Sequence, residues 1–292
     1  FESAGFVAGL VCFQIFFGGG TAGTYLLMTD RSGRNVFVKV WAFCVVMLMF
    51  GTTPAKAQDP VTIKVGVYEY GVVYYFEDGK QHGIAPILIN LLNDLQDDYR
   101  FQLAETSSRR RYRALSSGEI DLVLLESSQW EWQELDVSFS DRIVTERDVY
   151  LTSSSRLDAQ SLFADVTAHR ILCVLGFHYG FAEFNANPQY LRDNFDVLLR
   201  YNEKDVLNGV LTDEAPIGIV SAGFLGRQFV ADSRMRDRVV IADEPDGVYD
   251  LVSVLSNNSA ISLERFNQLI AQLHENGEVD RLWQQLHIGM SD

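Results

Sequence analysis

From Val61 onward the spacing of apolar residues switches from two to three-and-four and back again, and this alternation restricts the possible folds more than any other feature of the chain. Val61, Ile63, Val65 and Val67 alternate with more polar positions, the period of a strand. Asp78 and Gly79 mark a tight turn. Ile84, Ile87, Leu88, Leu91, Leu92 and Leu95 then recur at three and four, which gives a helix one dry face. A strand over 100–104, a helix over 109–117 stopped by Gly118 and a buried strand over 121–125 repeat the order. Strands alternating with helices predict an open α/β sheet, and such sheets bind ligands at the carboxyl ends of their strands. Tyr68, Tyr70 and Glu126 stand at such ends.

The pattern is then interrupted and resumes. Phe139-Ser140-Asp141 leads into an extended stretch over 148–152 and the polar run 153–155, which reads as a crossing between two lobes. A second α/β set follows, with a strand over 171–175, a turn at Gly176, a helix over 204–211 and a strand over 217–221. The chain crosses back through 249–255. It closes on two helices, one carrying Leu263, Phe266, Leu269, Ile270 and Leu273, the other Val279, Leu282, Trp283 and Leu286, with Asn276-Gly277 between them. The expected organisation is a first lobe over 58–150, a second over 151–246, and a return crossing with first-lobe helices over 247–292.

Upstream of the alternation lies a different signal. Lys39 precedes an unbroken apolar run from Val40 to Phe50, and Ala55-Lys56-Ala57 comes before the polar Gln58-Asp59-Pro60. A basic flank, a short apolar core and small residues two apart describe a cleavable signal peptide. The core is too short to span a bilayer comfortably. Met28 is the first methionine, so residues 28–57 are expected to be the complete signal and residues 1–27 an upstream extension. The working protein is expected to begin at Gln58, outside the cytoplasm, in the periplasm.

That boundary changes the electrostatics. Four of the 24 basic residues and two of the 39 acidic ones lie before Gln58, leaving 20 against 37. So acidic a chain repels nucleic acid and anionic membranes, and neither is an expected partner. Only Cys173 remains of the three cysteines, within the apolar run 171–175, so no internal disulfide is expected and the thiol reads as a buried structural group. The sequence contains no CxxC, HExxH, GxSxG or P-loop pattern, so neither cofactor nor metal is expected.

Several segments, taken in order, resemble the extracytoplasmic solute-binding proteins of the polar amino-acid type, family 3. They are IKVGV at 63–67, Tyr74 with FEDGK at 76–80, ALSSGEID at 114–121, VSFSD at 137–141 and LHENGEVDRLW at 273–283. The resemblance implies a type II periplasmic-binding-protein fold, two α/β lobes joined by two crossing strands, that shuts on a small solute. It further implies a monomer that is not membrane-embedded in its mature form and that delivers its solute to an ABC permease or a membrane sensor.

The chain departs from that family where solutes are held. The usual Thr-x-x-Arg after the strand ending at Glu126 is replaced, with Trp130 and Gln133 in those places. The second-lobe aspartate that commonly receives an ammonium falls near Ser221, and the usual Gly-Ser-Thr loop reads Gly176-Phe177-His178-Tyr179. The two usual charged partners are thus expected to be missing, with an aromatic box lining the cleft and Arg110 as a replacement anion partner. The expected ligand-binding set is Tyr70, Tyr74, Arg110, Glu126, Ser127, Trp130, Phe177, His178, Tyr179 and Ser221. Within the run 109–113, Arg110 is expected to reach the cleft, and Arg109, Arg111 and Arg113 to form a solvated face. Trp132 is read either as part of the box or as core. No catalytic residue is expected. The enzymatic alternative, a cyclohexadienyl dehydratase on the same fold, would need Glu69, Glu126 or Glu183 as its acid.

Overall fold

The computed structural model describes residues 25–29, 35–39 and 59–286, with side-chain detail confined to 59–286. The described residues before 58 and those from 59 onward fall into two separate units. In the first unit, β1 (Tyr25–Thr29) pairs antiparallel with β2 (Asn35–Lys39), Tyr25 opposite Lys39. Most of the expected signal peptide lies outside the described residues.

The second unit is built on one winding sheet. Its first half holds β3 (Val61–Val67), β6 (Tyr99–Glu105) and β7 (Leu122–Ser127), all parallel, with β3 in the middle. Every residue of β7 is buried, as expected of a strand covered on both faces. Between β3 and β6 come a small hairpin, β4 (Tyr75–Glu77) and β5 (Lys80–His82), and helix α1 (Ile84–Asp94). Asp78 and Gly79 both take positive φ at the hairpin tip, as a two-residue connection between right-twisted strands requires. Helix α2 (Arg111–Ser116) packs beside β3 and β7.

Two ten-residue strands carry the chain across. In β9 (Val144–Ser153), residues 144–148 pair antiparallel with β14 (Gly247–Ser256), while 148–151 pair with β12 (Ile217–Ser221). The far half of β14 returns along β7, with the short β8 (Val137–Phe139) on its other side. The second half of the sheet runs β9, β12, β10 (Ile171–Val174) and β11 (Val197–Arg200), the last three parallel, with β13 (Val239–Ile241) also on β9. Helices α3 (Pro188–Asn194), α4 (Glu203–Leu211) and α5 (Ala222–Ala231) belong to this lobe. Helices α6 (Leu263–Glu275) and α7 (Glu278–Leu286) follow β14, and α7 packs against α1 of the first lobe.

Among the described residues no helix is long and apolar enough to cross a membrane. Cys173 is fully buried in β10. Phe101, Leu88, Leu92 and Phe266 fill the first lobe, and Leu172, Val206, Ile217 and Ile219 the second. The carboxyl ends of the parallel strands of both lobes face the crossing, and the candidate site lies there.

Candidate functional site

Tyr68 and Tyr70 leave the end of β3 in a loop that is clamped from two sides. Tyr70 and Tyr74 form an isolated bridge, the Tyr70 N–H donating to the Tyr74 carbonyl at 3.1 Å. The first two N–H groups of α1 then bond to the same loop, Ile84 to the Val72 carbonyl at 2.9 Å and Ala85 to the Val73 carbonyl at 3.0 Å. The unsatisfied donors of a helix start thereby become the mount for the Tyr70 ring. That ring meets Phe177 at 5.4 Å and Trp130 at 5.7 Å between centroids, both edge-on, the favoured arrangement of ring quadrupoles. Trp130 also stacks on His178 at 5.9 Å and meets Tyr249 edge-on at 5.2 Å.

Tyr68, Tyr70, Arg111, Trp130, Asp148, Gly176, Phe177 and His178 line a narrow gap between the lobes whose volume is about 10 Å³, room for about one water molecule. A larger trough along the outside of β9, with Arg142, Val248 and Trp283 on its rim, is an open surface feature away from the strand ends.

Arg111 is the first residue of α2 and only 1% exposed. Its Nε donates to Glu126 Oε2 at 3.0 Å, and its Nη2 donates to the Tyr112 hydroxyl at 2.7 Å. The guanidinium carbon lies 4.9 Å from the centre of the Tyr68 ring and 4.4 Å from that of Tyr112. Burial alone would lower the Arg111 pKa, but Glu126, Tyr68 and Tyr112 together outweigh it and hold the guanidinium charged, with its pKa raised. Burial in turn pushes the Glu126 carboxyl above its ordinary range, opposed by Arg111, and its Oε1 has no hydrogen-bond partner. The remaining nitrogen, Nη1, has no partner.

Asp148 stands opposite in the middle of β9 and is 2% exposed. One of its carboxylate oxygens, Oδ1, has no partner. Burial, then repulsion from Glu203, Asp246 and Glu146, raises its carboxyl well above the ordinary range. The Tyr70 hydroxyl and the Trp130 indole N–H are likewise buried and unpartnered. Such groups are costly in a closed interior unless something fills the space between them.

His178 completes the wall. The Tyr112 hydroxyl donates to the Trp130 carbonyl at 2.9 Å, so it accepts from the His178 Nε2–H at 3.2 Å. Glu131 Oε2 lies 3.4 Å from the same nitrogen. This leaves Nδ1 as a bare acceptor. Burial keeps the ring neutral by lowering its pKa, against the pull of Glu131.

Of the expected set, the structure brings Tyr70, Trp130, Phe177 and His178 to the cavity. Glu126 stands behind it, bound to Arg111. Tyr74 faces away and donates to Glu105 at 2.6 Å. Ser127 accepts from the Gln129 N–H at 3.2 Å, closing the turn before Trp130. The Tyr179 hydroxyl accepts from the Val174 N–H at 2.6 Å inside the second lobe. Ser221 caps α5 and donates to Glu203 at 2.7 Å. Trp132 is core, packed 4.5 Å from Tyr112.

Two expectations are corrected. Arg110 does not enter the cleft: its side chain is 67% exposed and meets Glu119 at 3.4 Å. Arg111, read as solvated, is the arginine of the site. It precedes the buried Ala114 and Leu115 by three and four positions, and that helical phase was the available signal. The charged groups that line the gap are thus Arg111 and Asp148, not the expected Arg110 and Glu126. In β9 the positions Val144, Glu146, Asp148 and Tyr150 alternate on one buried face, so acids on an inward stripe marked Asp148. Of the three carboxylates nominated for dehydratase chemistry, Glu69 and Glu183 are exposed and Glu126 is held by Arg111.

No protein-family model matches the sequence, and no curated protein matches it. Solved structures do. An ancestral amino acid-binding protein, AncCDT-1, described as a precursor of cyclohexadienyl dehydratase, superposes with a TM-score of 0.59 at 17% identity, over 77% of this chain and 95% of its own. A putative ABC-transporter binding component from Wolinella succinogenes, complexed with lysine, gives 0.61 at 16% identity over 78% and 97%. A histidine kinase sensor domain with similarity to periplasmic binding proteins gives 0.62 at 16% identity over 78% and 96%. Together with the paired sheets and the crossing strands, these likenesses give the chain the fold of the type II periplasmic solute-binding proteins.

Proposed function

We propose that this chain is an exported solute-binding protein that shuts its two lobes around one small polar molecule. The observation that carries the reading is the narrow gap between strand ends, where Arg111 Nη1 offers a donor and Asp148 Oδ1 an acceptor and neither atom has a protein partner. A solute with complementary groups, excluded from water by the rings around it, would satisfy both. The amino acid-binding relatives in fold support this chemistry, and the likeness to both a transport component and a sensor domain fits delivery to a permease or to a membrane sensor. The periplasm as its compartment follows from the leader read over residues 28–57.

The test is a thermal-shift screen of the chain over amino acids, amines, organic acids and short peptides, followed by X-ray scattering. A ligand that binds only the folded form stabilises it by about 2.7 kcal/mol at a hundredfold excess over its Kd. Binding is expected to raise the melting temperature and reduce the radius of gyration. If no compound moves either quantity, the solute-binding reading fails.

A further inference from the structure

Three of the unpartnered atoms on residues lining the gap have a hydrogen-bonding sense that the structure fixes. Arg111 Nη1 and the Trp130 indole nitrogen donate whatever surrounds them. His178 Nδ1 is the third, and its sense is set across the lobes. The Tyr112 hydroxyl gives its one hydrogen to the Trp130 carbonyl at 2.9 Å, and Glu131 carries a carboxylate, so towards His178 Nε2, at 3.2 and 3.4 Å, both can only accept. The hydrogen of the ring therefore sits on Nε2, and Nδ1 keeps its lone pair. The imidazole is 2% exposed and stacked on Trp130, surroundings that disfavour a second proton. Tyr112 and Glu131 of the first lobe thus choose the tautomer of a second-lobe histidine where the lobes meet. Asp148 Oδ1 and the Tyr70 hydroxyl, also unpartnered, are adaptable: a hydroxyl turns to donate or accept, and a carboxyl accepts when ionised and donates when protonated.

The three fixed atoms therefore decide which solute group fits. A carboxylate has no hydrogen for Nδ1, and an ammonium has no lone pair for Arg111 or Trp130. A hydroxyl has both, and so does a primary carboxamide, with two lone pairs on its oxygen and two hydrogens on its nitrogen. Neither brings charge to an arginine already balanced by Glu126. Water meets the same pattern, and the gap has room for about one. Resting on the solute-binding reading above, we propose that the solute is anchored by an uncharged group that both accepts and donates, a primary carboxamide or a hydroxyl, with His178 Nδ1 as the acceptor that selects it. The anchoring group takes the place of one water, and the rest of the solute parts the rings of Tyr70, Trp130 and Phe177. A carboxamide has a further hydrogen for Asp148 or Tyr70, so it should lead the hydroxyl.

The experiment uses matched probes on the full chain. Benzamide, benzyl alcohol, benzoate and benzylamine share one carbon skeleton, as do 2-methylpropanamide, 2-methylpropan-1-ol, 2-methylpropanoate and 2-methylpropylamine. In at least one set the amide or the alcohol should bind about tenfold or more tighter than the acid and the amine, because a charged group leaves buried partners unpaired. Nitrogen NMR of the labelled chain should show the His178 hydrogen on Nε2, none on Nδ1, and an Nδ1 signal that moves as the tighter probe is added. His178→Phe keeps a ring against Trp130 but removes the acceptor, and should weaken that probe about tenfold or more. The wild-type probe series and the NMR signals carry the test if that variant does not fold.

An acid or amine that binds as tightly as the better of its amide and alcohol overturns the proposal. So does a hydrogen on Nδ1 in the complex, or a His178→Phe variant of unchanged affinity. A hit in the broader screen with none in these two sets also overturns it, while leaving the solute-binding reading intact. No hit in either removes both.

Discussion

Arg111 and Glu126 share a site at 1% and 0% side-chain exposure, where neither charge has access to water. Arg111→Met therefore leaves a carboxylate buried alone and should destabilise the fold by about 3–5 kcal/mol, whereas Arg111→Met with Glu126→Leu should recover most of that loss. Urea unfolding of both variants measures it, and equal losses would show that packing rather than charge holds this corner. Glu203 presents the opposite problem, a lone carboxylate among N–H groups. Its Oε2 accepts from Gly71 N–H and its Oε1 from Ser221 N–H, both at 2.7 Å. Burial, only partly opposed by these bonds, pushes its pKa from 4.5 up to about 7. A carboxyl raised on folding contributes stability that is full below its unfolded pKa and lost as pH rises through the folded one. The solute-free chain should accordingly be more stable near pH 5 than near pH 8, by on the order of 2–3 kcal/mol from this group. Glu131, lowered first by its bond from His178, works the other way, its contribution lost as pH falls. Glu203→Gln should flatten the slope, and an unaltered slope would assign it to Asp148 or Asp246.

At the scale of elements, what the sequence disclosed depended on how strongly periodicity speaks. Helix α1 and strand β3 lie where the spacing of Ile84 to Leu95 and of Val61 to Val67 places them, because long amphipathic patterns leave one phase open. In the six-residue α2 the phase is weakly determined, and a slip of one position exchanges Arg110 for Arg111. Helix α5 escaped notice because Ala222-Gly223-Phe224-Leu225-Gly226 combines buried residues on nearly every side with glycines that disfavour helix. The alternation in β9 marks Asp148 as inward, but the groups around it, Glu203 of α4, Tyr249 of β14 and Tyr70 of the loop after β3, are all distant in sequence. The loop after β3 also fixes how the lobes meet. Gly71 has φ +51, and a Cβ there would lie 2.6 Å from Ser221 Oγ in the second lobe. Gly79, at φ +73, faces open space. Both alanine variants incur the left-handed backbone cost, of order 1 kcal/mol, but Gly71→Ala alone should separate the lobes and weaken solute binding about tenfold or more. Equal affinities in the two variants would show that the Gly71 contact does not govern closure.

The whole molecule adds a question of balance between the lobes. Besides Glu203 on Gly71, the Ser108 hydroxyl of the first lobe donates to the Leu175 carbonyl of the second at 3.0 Å, and the Ala186 N–H of the second donates to Glu131 of the first at 3.3 Å. Outside the cavity, the Arg227 guanidinium of α5 lies 3.6 Å from the centre of the Tyr75 ring in β4. Contacts of this kind stabilise the shut arrangement whether or not a solute is inside, and so set what fraction of free molecules is ready to hold one. Apparent affinity scales with that fraction. A partly exposed cation–π pair is worth about 0.5–1 kcal/mol, so Arg227→Ala should weaken every solute by about two- to fivefold and enlarge the free chain in scattering. Because Arg227 does not line the cavity, the ratio of affinities for any two solutes should stay at its wild-type value. Titration of two bound solutes against both proteins decides the matter: a common factor places the effect in the hinge equilibrium, while a change in the ratio would mean that Arg227 acts on the solute itself.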